Sequence, residues 1–225
     1  MDKLYLMLEL QSSLNDSTNG SEWEKGVSKN KKVIDWYRCI YMEACELIES
    51  YPWKHWKSID AKIDRENIKI ETVDIWHFIL SQAIKEARLK KISLKTLAKE
   101  IESKSYFQAY LKNPKLEFED FYQEIAVVEE LIKISLCKMD LELLFEGFFE
   151  VAKVAKLSFD ELYKLYVGKN ILNNFRQNHG YKSGTYKKVW NQKEDNEVLQ
   201  EILRQNPTIT PAKLYEKLEE IYQKI

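Results

Sequence analysis

Two carboxylate pairs stand at helical spacing in this chain: Glu43 with Glu46, and Glu71 with Asp74, with 24 residues between Glu46 and Glu71. Residues three apart on an α-helix lie about 60° apart around the axis, so each pair shares a face. On the first helix Glu43 lies at the edge of an apolar stripe and Glu46 slightly further round, while Glu49 points nearly opposite and reads as solvated. On the second helix the pair lies away from the apolar stripe, with Phe78 on the same face. A Glu-x-x-Glu on a helix is ordinarily a solvated face, and Phe78 alone would be read as core. The company of these residues argues for more. Four converging carboxylates repel by about 1 kcal/mol per pair in water, and by more when desolvated. A hard divalent cation offsets that repulsion. Magnesium prefers oxygen ligands and retains waters and phosphate oxygens, so such a site can hold a triphosphate and activate a water.

Two further groups suit a phosphorylated ligand. Gln11, Asn15 and Asn19 recur every four residues, and each amide offers a donor and an acceptor, as reading a base edge requires. Helix capping is the competing use of the asparagines. The segment 168–187 holds Gly168, Gly180 and Gly184, half of the chain's six glycines, together with Lys169, Arg176, Lys182 and Lys187. Glycines admit close approach of backbone amides and the cations supply charge, a combination suited to phosphate, although no Walker loop is present. A solvated basic loop has the same composition. With little apolar surface, the segment is expected to be mobile without ligand and to order over the phosphates. His55, His77 and His179 lack metal-ligand spacing; His77 either lines a pocket or is a buried, hydrogen-bonded histidine. The run Trp53-Lys54-His55-Trp56-Lys57 can stack on a base or simply close a helix end.

The elements that must position these residues are helical. Helices are expected over residues 3–14, 33–51, 67–88, 93–110, 195–205 and 211–224, with a long one over 117–156 broken near Gly147. Residues 15–21 read as a polar turn. Val33, Tyr37, Ile40, Ala44, Leu47 and Tyr51 form one stripe, and Thr72, Val73, Trp76, Ile79, Leu80, Ala83 and Ala87 another. Ser158 before Phe159-Asp160-Glu161 has the form of a capping box, and the helix it starts is expected to end in the segment from Gly168 to Asn196. Pro211 suits a helix start.

Composition sets the outer bounds. Few helix breakers, six glycines and four prolines, and 44% hydrophobic residues describe a globular, mainly helical protein. The balance of 35 basic against 36 acidic residues gives no global attraction to nucleic acid or to an anionic membrane, and no apolar run is long enough to span a bilayer. Three cysteines, Cys39, Cys45 and Cys137, make neither a CxxC pair nor a disulfide framework. With no signal-peptide pattern at the start, a cytoplasmic setting is expected.

Taken together, four blocks resemble the dimeric dUTPases of the all-α nucleoside triphosphate pyrophosphohydrolase superfamily. They are QSSLNDSTNGSEW from Gln11, WYRCIYMEACELIESYPWKHWK from Trp36, DRENIKIETVDIWHF from Asp64, and the stretch from Gly168 to Asn196. The resemblance implies one all-α domain over 1–225, a multi-helix bundle with a variable helical insertion at about 89–160. It implies a dUTP diphosphatase that converts dUTP, and dUDP, to dUMP, limiting uracil in DNA and supplying dUMP. It also implies a homodimer. Glu43, Glu46, Glu71 and Asp74 would hold Mg2+, with Mn2+ able to substitute, and Glu46 would orient or deprotonate the attacking water. Gln11 and Asn15 would read the uracil edge with Asn19 close by. Trp53 or Trp56, His77 and Phe78 would complete the base pocket, Phe78 by stacking, and Asp74 would also meet the sugar hydroxyl. Lys169, Asn173, Arg176, Tyr181, Lys182, Tyr186 and Lys187 match the phosphate-binding block. One departure is visible: Gln192 stands where the Trp-Asn-Gly-x-Glu-Asp-Asn block has glycine. The competing readings are a broader or dCTP-directed pyrophosphohydrolase, and a catalytically silent helical protein that binds a nucleotide or a partner.

Overall fold

Side chains ending in a short acceptor recur where the helices begin. Asp2, Asp35, Asp64, Ser93, Asp120, Asp140 and Thr210 each accept a hydrogen bond from a backbone amide two or three residues on, which satisfies donors left unpaired in a first helical turn. The computed structural model describes residues 2–58, 60–112 and 117–225. Among them are ten α-helices: α1 (Lys3–Asn19), α2 (Trp36–Glu49), α3 (Arg65–Leu89), α4 (Leu94–Ser103), α5 (Ser105–Leu111), α6 (Phe121–Lys133), α7 (Leu141–Val154), α8 (Phe159–Asn178), α9 (Asp195–Gln205) and α10 (Pro211–Tyr222). A two-stranded antiparallel ribbon joins β1 (Val189–Trp190) to β2 (Lys193–Glu194). The fold is all-α. It forms two compact units, one ending at Tyr163 and the other running from Lys164 to Ile225.

In the first unit α3 is central, with α1, α2 and α7 all packed on it. The whole expected stripe from Thr72 to Ala87 is buried, and Trp76 stacks on Phe148 with ring centroids 4.5 Å apart. Being enclosed by neighbours, α3 also buries Glu71, His77, Ser81 and Gln82. Buried polar groups need partners, and His77 and Ser81 find theirs on α1. Tyr51 and Arg65 converge on Glu124 of α6: the tyrosine hydroxyl donates at 2.9 Å, and two guanidinium nitrogens donate at 2.5 and 3.0 Å.

The second unit closes around Leu172, Phe175, Trp190, Val198, Leu199, Ile202, Leu203, Leu214 and Leu218. Gly168 lies against Leu203 and Leu199, where a Cβ would meet Leu203 Cδ1 at 2.9 Å. The glycine therefore permits close packing rather than ending the helix.

Four expectations about element bounds are corrected. Residues 15–19 are helical, because α1 runs on to Asn19 and stops at Gly20, whose φ is 95°. Asp16 accepts from both Arg88 and Trp23 there, so tertiary contacts override local turn preference. Val33 lies outside α2 and is exposed, since the Asp35 cap starts the helix later. The break in the 117–156 stretch falls at Met139, with φ of 49°, after a π turn over Ile134–Lys138. Gly147 sits inside α7, where a Cβ would lie 3.2 and 3.3 Å from Ile134 and Leu131, so it serves helix contact. Finally, residues 168–178, read as the start of a mobile loop, are helical and belong to α8. The Ser158 cap forms as expected, with Glu161 N donating to Ser158 Oγ at 3.3 Å and Ser158 N to Glu161 Oε2 at 3.0 Å.

Candidate active site

Helices α2 and α3 pack side by side, and their acidic residues meet. Glu43 and Glu46 of α2 and Glu71 of α3 offer carboxylate oxygens that all lie within 4.8 Å of one another. Glu71 is 8% exposed, whereas Glu46 faces solvent. Asp74, half-buried one turn further along α3, is outside this cluster of three, the one such cluster found among the described residues. The donor set is hard oxygen throughout, which fits a divalent cation such as magnesium or manganese. The negative charge also reaches Cys39: burial, then the Glu43 carboxylate nearby, pushes its thiol up to about 11.

Around α3, Glu71, Asp74, His77, Phe78 and Ser81 fall within an arc of about 120° at 100° per residue. The helix thus carries acidic groups at one end of a face, an aromatic ring in the middle and polar groups at the other end. Phe78 stacks on Trp36, with centroids 5.9 Å apart and planes at 26°. At the far end α1 brings Gln11 and Asn15, both buried, against His77 and Ser81. Gln11 Nε2 donates to Asn15 Oδ1 at 3.0 Å and to Ser81 Oγ at 2.9 Å. Its Oε1 lies 2.6 Å from His77 Nδ1. An amide carbonyl oxygen can only accept, so the His77 ring donates in that contact, from Nδ1. A brace holds the end of α1 in place: Arg88 donates to both oxygens of Asp16 at 2.7 Å, and Trp23 Nε1 donates to Oδ1 at 2.7 Å.

The remaining expected residues make contacts of their own. Asn19 is half-buried beside an open recess with Lys25 and Lys29, and its carbonyl accepts from Lys29 N at 2.6 Å. Trp53 and Trp56 pack edge to face on each other at 5.6 Å, Trp53 half-buried and Trp56 exposed. In the second unit, Lys169 is buried and donates to Asn196 at 2.8 Å. Arg176 donates to Asp195 and to Asn173, and the Tyr186 hydroxyl donates to Asp195 at 2.8 Å. Tyr181, Lys182 and Lys187 are exposed, with Lys187 Nζ donating to the Ile225 carbonyl. Trp36 and Ser81 were not singled out in the sequence. The available signal for Ser81 was its four-residue spacing from His77, matching that of Gln11 and Asn15.

The family model for dUTPase matches residues 3–181. That range takes in the acidic cluster, the buried amides and the helical part of the basic block, and stops short of Lys182, Tyr186 and Lys187. The chain belongs to this family, the all-α dimeric-type dUTPases, and is by that membership a dUTP diphosphatase. Enzymes of the family are generally metal-dependent. No curated protein matches the chain. Among the described residues, no helix is long and apolar enough to cross a membrane.

Proposed function

We propose that the chain hydrolyses dUTP to dUMP and pyrophosphate with magnesium, or manganese in its place, held by Glu43, Glu46, Glu71 and Asp74, and that dUDP is also a substrate. The observation that carries this reading is the order of groups along one face of α3. From Glu71 to Ser81 the helix rises about 15 Å. Carboxylates stand at one end, the Phe78 ring between, and the amides of Gln11 and Asn15 at the other. The same order runs through a nucleotide: phosphates, sugar and base.

When bound, the cation neutralises phosphate charge and polarises the phosphoryl oxygens. The chain's own residues do the rest. Glu46, the exposed member of the acidic cluster, accepts the proton of an attacking water as general base. Asp74 meets the sugar hydroxyl, and Phe78 offers a ring for stacking. Trp53 or Trp56 closes the base pocket with His77, and Asn19 stands near its edge. Gln11 and Asn15 bind the uracil edge. Lys169, Asn173, Arg176, Tyr181, Lys182, Tyr186 and Lys187 serve the phosphates. A homodimer in a reducing cytoplasm completes the proposal; the three cysteines, all free thiols, suit that compartment.

Pyrophosphate release from dUTP by chelator-treated protein tests the reading. Activity is expected to vanish and to return with magnesium, and dUTP is expected to exceed dCTP in kcat/KM by at least roughly tenfold. Full-rate hydrolysis with chelator present removes the metal assignment. Equal turnover of dCTP points instead to a broad-specificity pyrophosphohydrolase.

A further inference from the structure

Reading a pyrimidine with an amide raises a problem of polarity. Turning a carboxamide over exchanges its oxygen with its NH2 group. Uracil presents the O4 acceptor beside the N3–H donor, whereas cytosine presents the N4 amino donor beside the N3 acceptor. An amide in one orientation fits uracil, and the same amide turned over in place fits cytosine. Selectivity therefore needs a fixed reference that prevents the turn.

Ser81 is placed to be that reference. It is wholly buried, and its Oγ donates to the main-chain carbonyl of His77 at 2.8 Å. A carbonyl oxygen can only accept, so this bond commits the single hydroxyl proton. Oγ is left as an acceptor, and two amide nitrogens reach it: Gln11 Nε2 at 2.9 Å and Asn15 Nδ2 at 3.0 Å. The competing contact, from Ser81 Oγ to Asn15 Oδ1, is longer at 3.4 Å. Gln11 Nε2 donates as well to Asn15 Oδ1 at 3.0 Å, so each amide reinforces the orientation of the other. Turned over, either amide would set an oxygen against the oxygen of Ser81 in a buried site, where unpaired polar groups are costly.

We infer that Ser81 is a specificity-determining positioning residue: its hydroxyl, oriented by the His77 carbonyl, fixes which way the Gln11 and Asn15 amides face and thereby selects uracil over cytosine. The inference rests on the reading of Gln11 and Asn15 as base contacts. Ser81 acts through those amides and has no assigned contact with the reacting phosphates.

The test measures kcat and KM for dUTP and dCTP in the unmodified protein and in Gln11→Ala, Asn15→Ala, Ser81→Ala and Ser81→Cys. Ser81→Cys nearly conserves volume while replacing the hydroxyl with a weak acceptor, which covers the case in which Ser81→Ala fails to fold. Both Ser81 variants are expected to lower the dUTP-to-dCTP ratio of kcat/KM roughly tenfold, with most of the loss appearing as a raised KM for dUTP. If Gln11→Ala and Asn15→Ala collapse the ratio but a folded Ser81 variant keeps it, the role of Ser81 is overturned while the base reading stands. A fall in kcat for both substrates at constant ratio marks a merely structural serine and overturns the inference too. If Gln11→Ala and Asn15→Ala leave the ratio unmoved, the base reading fails and the inference with it.

Discussion

Arg176 and Asp195 form a bidentate pair in which the carboxylate is completely buried: Nε donates to Oδ2 at 2.8 Å and an Nη nitrogen to Oδ1 at 2.7 Å. The pair joins α8 to the first turn of α9 within the second unit. Arg176→Ala would leave Asp195 buried without its cation, a change that costs about 3–5 kcal/mol. Faster hydrogen exchange in α9 reports the loss in that unit directly. The double variant Arg176→Ala, Asp195→Ala should lose less than the sum of the two single changes, because residues in contact do not act additively. Additive losses would show that the pair carries no coupling. A fall in triphosphate binding by Arg176→Ala therefore counts as a phosphate role only where α9 stays protected.

Glu46 is the exposed carboxylate of the acidic cluster. Glu46→Gln removes its charge and basicity while nearly keeping its shape. The expected result is a fall in kcat of roughly 10²-fold or more, the scale of lost general-base assistance. Magnesium titration separates weakened metal binding from lost proton transfer: if saturating metal restores kcat, Glu46 is a ligand only.

The brace at the end of α1 makes stability depend on pH. Partial burial raises the Asp16 pKa, but hydrogen bonds from Arg88 and Trp23 and the guanidinium charge outweigh it and hold the group below its ordinary 3.8. A depressed carboxylate contributes stability that is complete above its unfolded pKa and is lost as pH falls through the folded value. The unmodified protein should therefore melt higher than Asp16→Asn at neutral pH, and the gap should narrow only below a pH of about 4. A gap that stays constant down to a pH of about 2.5 would show that the ion pair is not its source.

Much of this site was legible because local rules sufficed. Spacing alone puts Glu43 with Glu46 and Glu71 with Asp74 on shared helix faces, although Asp74 stands outside the carboxylate cluster, and the burial of Thr72 through Ala87 follows from their period. Other features depended on partners distant in sequence. Asn15 and Asn19 read as a turn, yet Asp16 between them is held by Arg88, 72 residues away. Gly168 reads as a breaker until Leu203 is seen against it. Arg176 reads as a phosphate-binding cation, because its partner Asp195 lies 19 residues on. Ser81 has neither charge nor an unusual neighbour, and only the packing of α1 against α3 gives its hydroxyl a task.

The ribbon that carries Trp190 turns through Asn191 and Gln192, whose φ values are 48° and 69°. Val189 pairs with Glu194 and Trp190 with Lys193, leaving a two-residue loop. Left-handed backbone at both positions is the geometry of the turn for which Asn-Gly is favoured, and this chain supplies the asparagine without the glycine. A non-glycine residue costs roughly 1–2 kcal/mol in this conformation, although asparagine visits it readily. Glycine removes the cost at position 192 but adds about 0.5–1 kcal/mol of unfolded-chain entropy. Gln192→Gly should therefore stabilise the second unit by about 0.5–1 kcal/mol. Gln192→Val should destabilise it by about 1 kcal/mol or more, since a β-branched residue tolerates positive φ least. Trp190 is wholly buried in that unit's core, so the effect should register in exchange protection of α9 and α10 as well as in the ribbon. Equal protection in the glycine and valine variants would mean that the turn relaxes without cost and that the departure at Gln192 carries no strain.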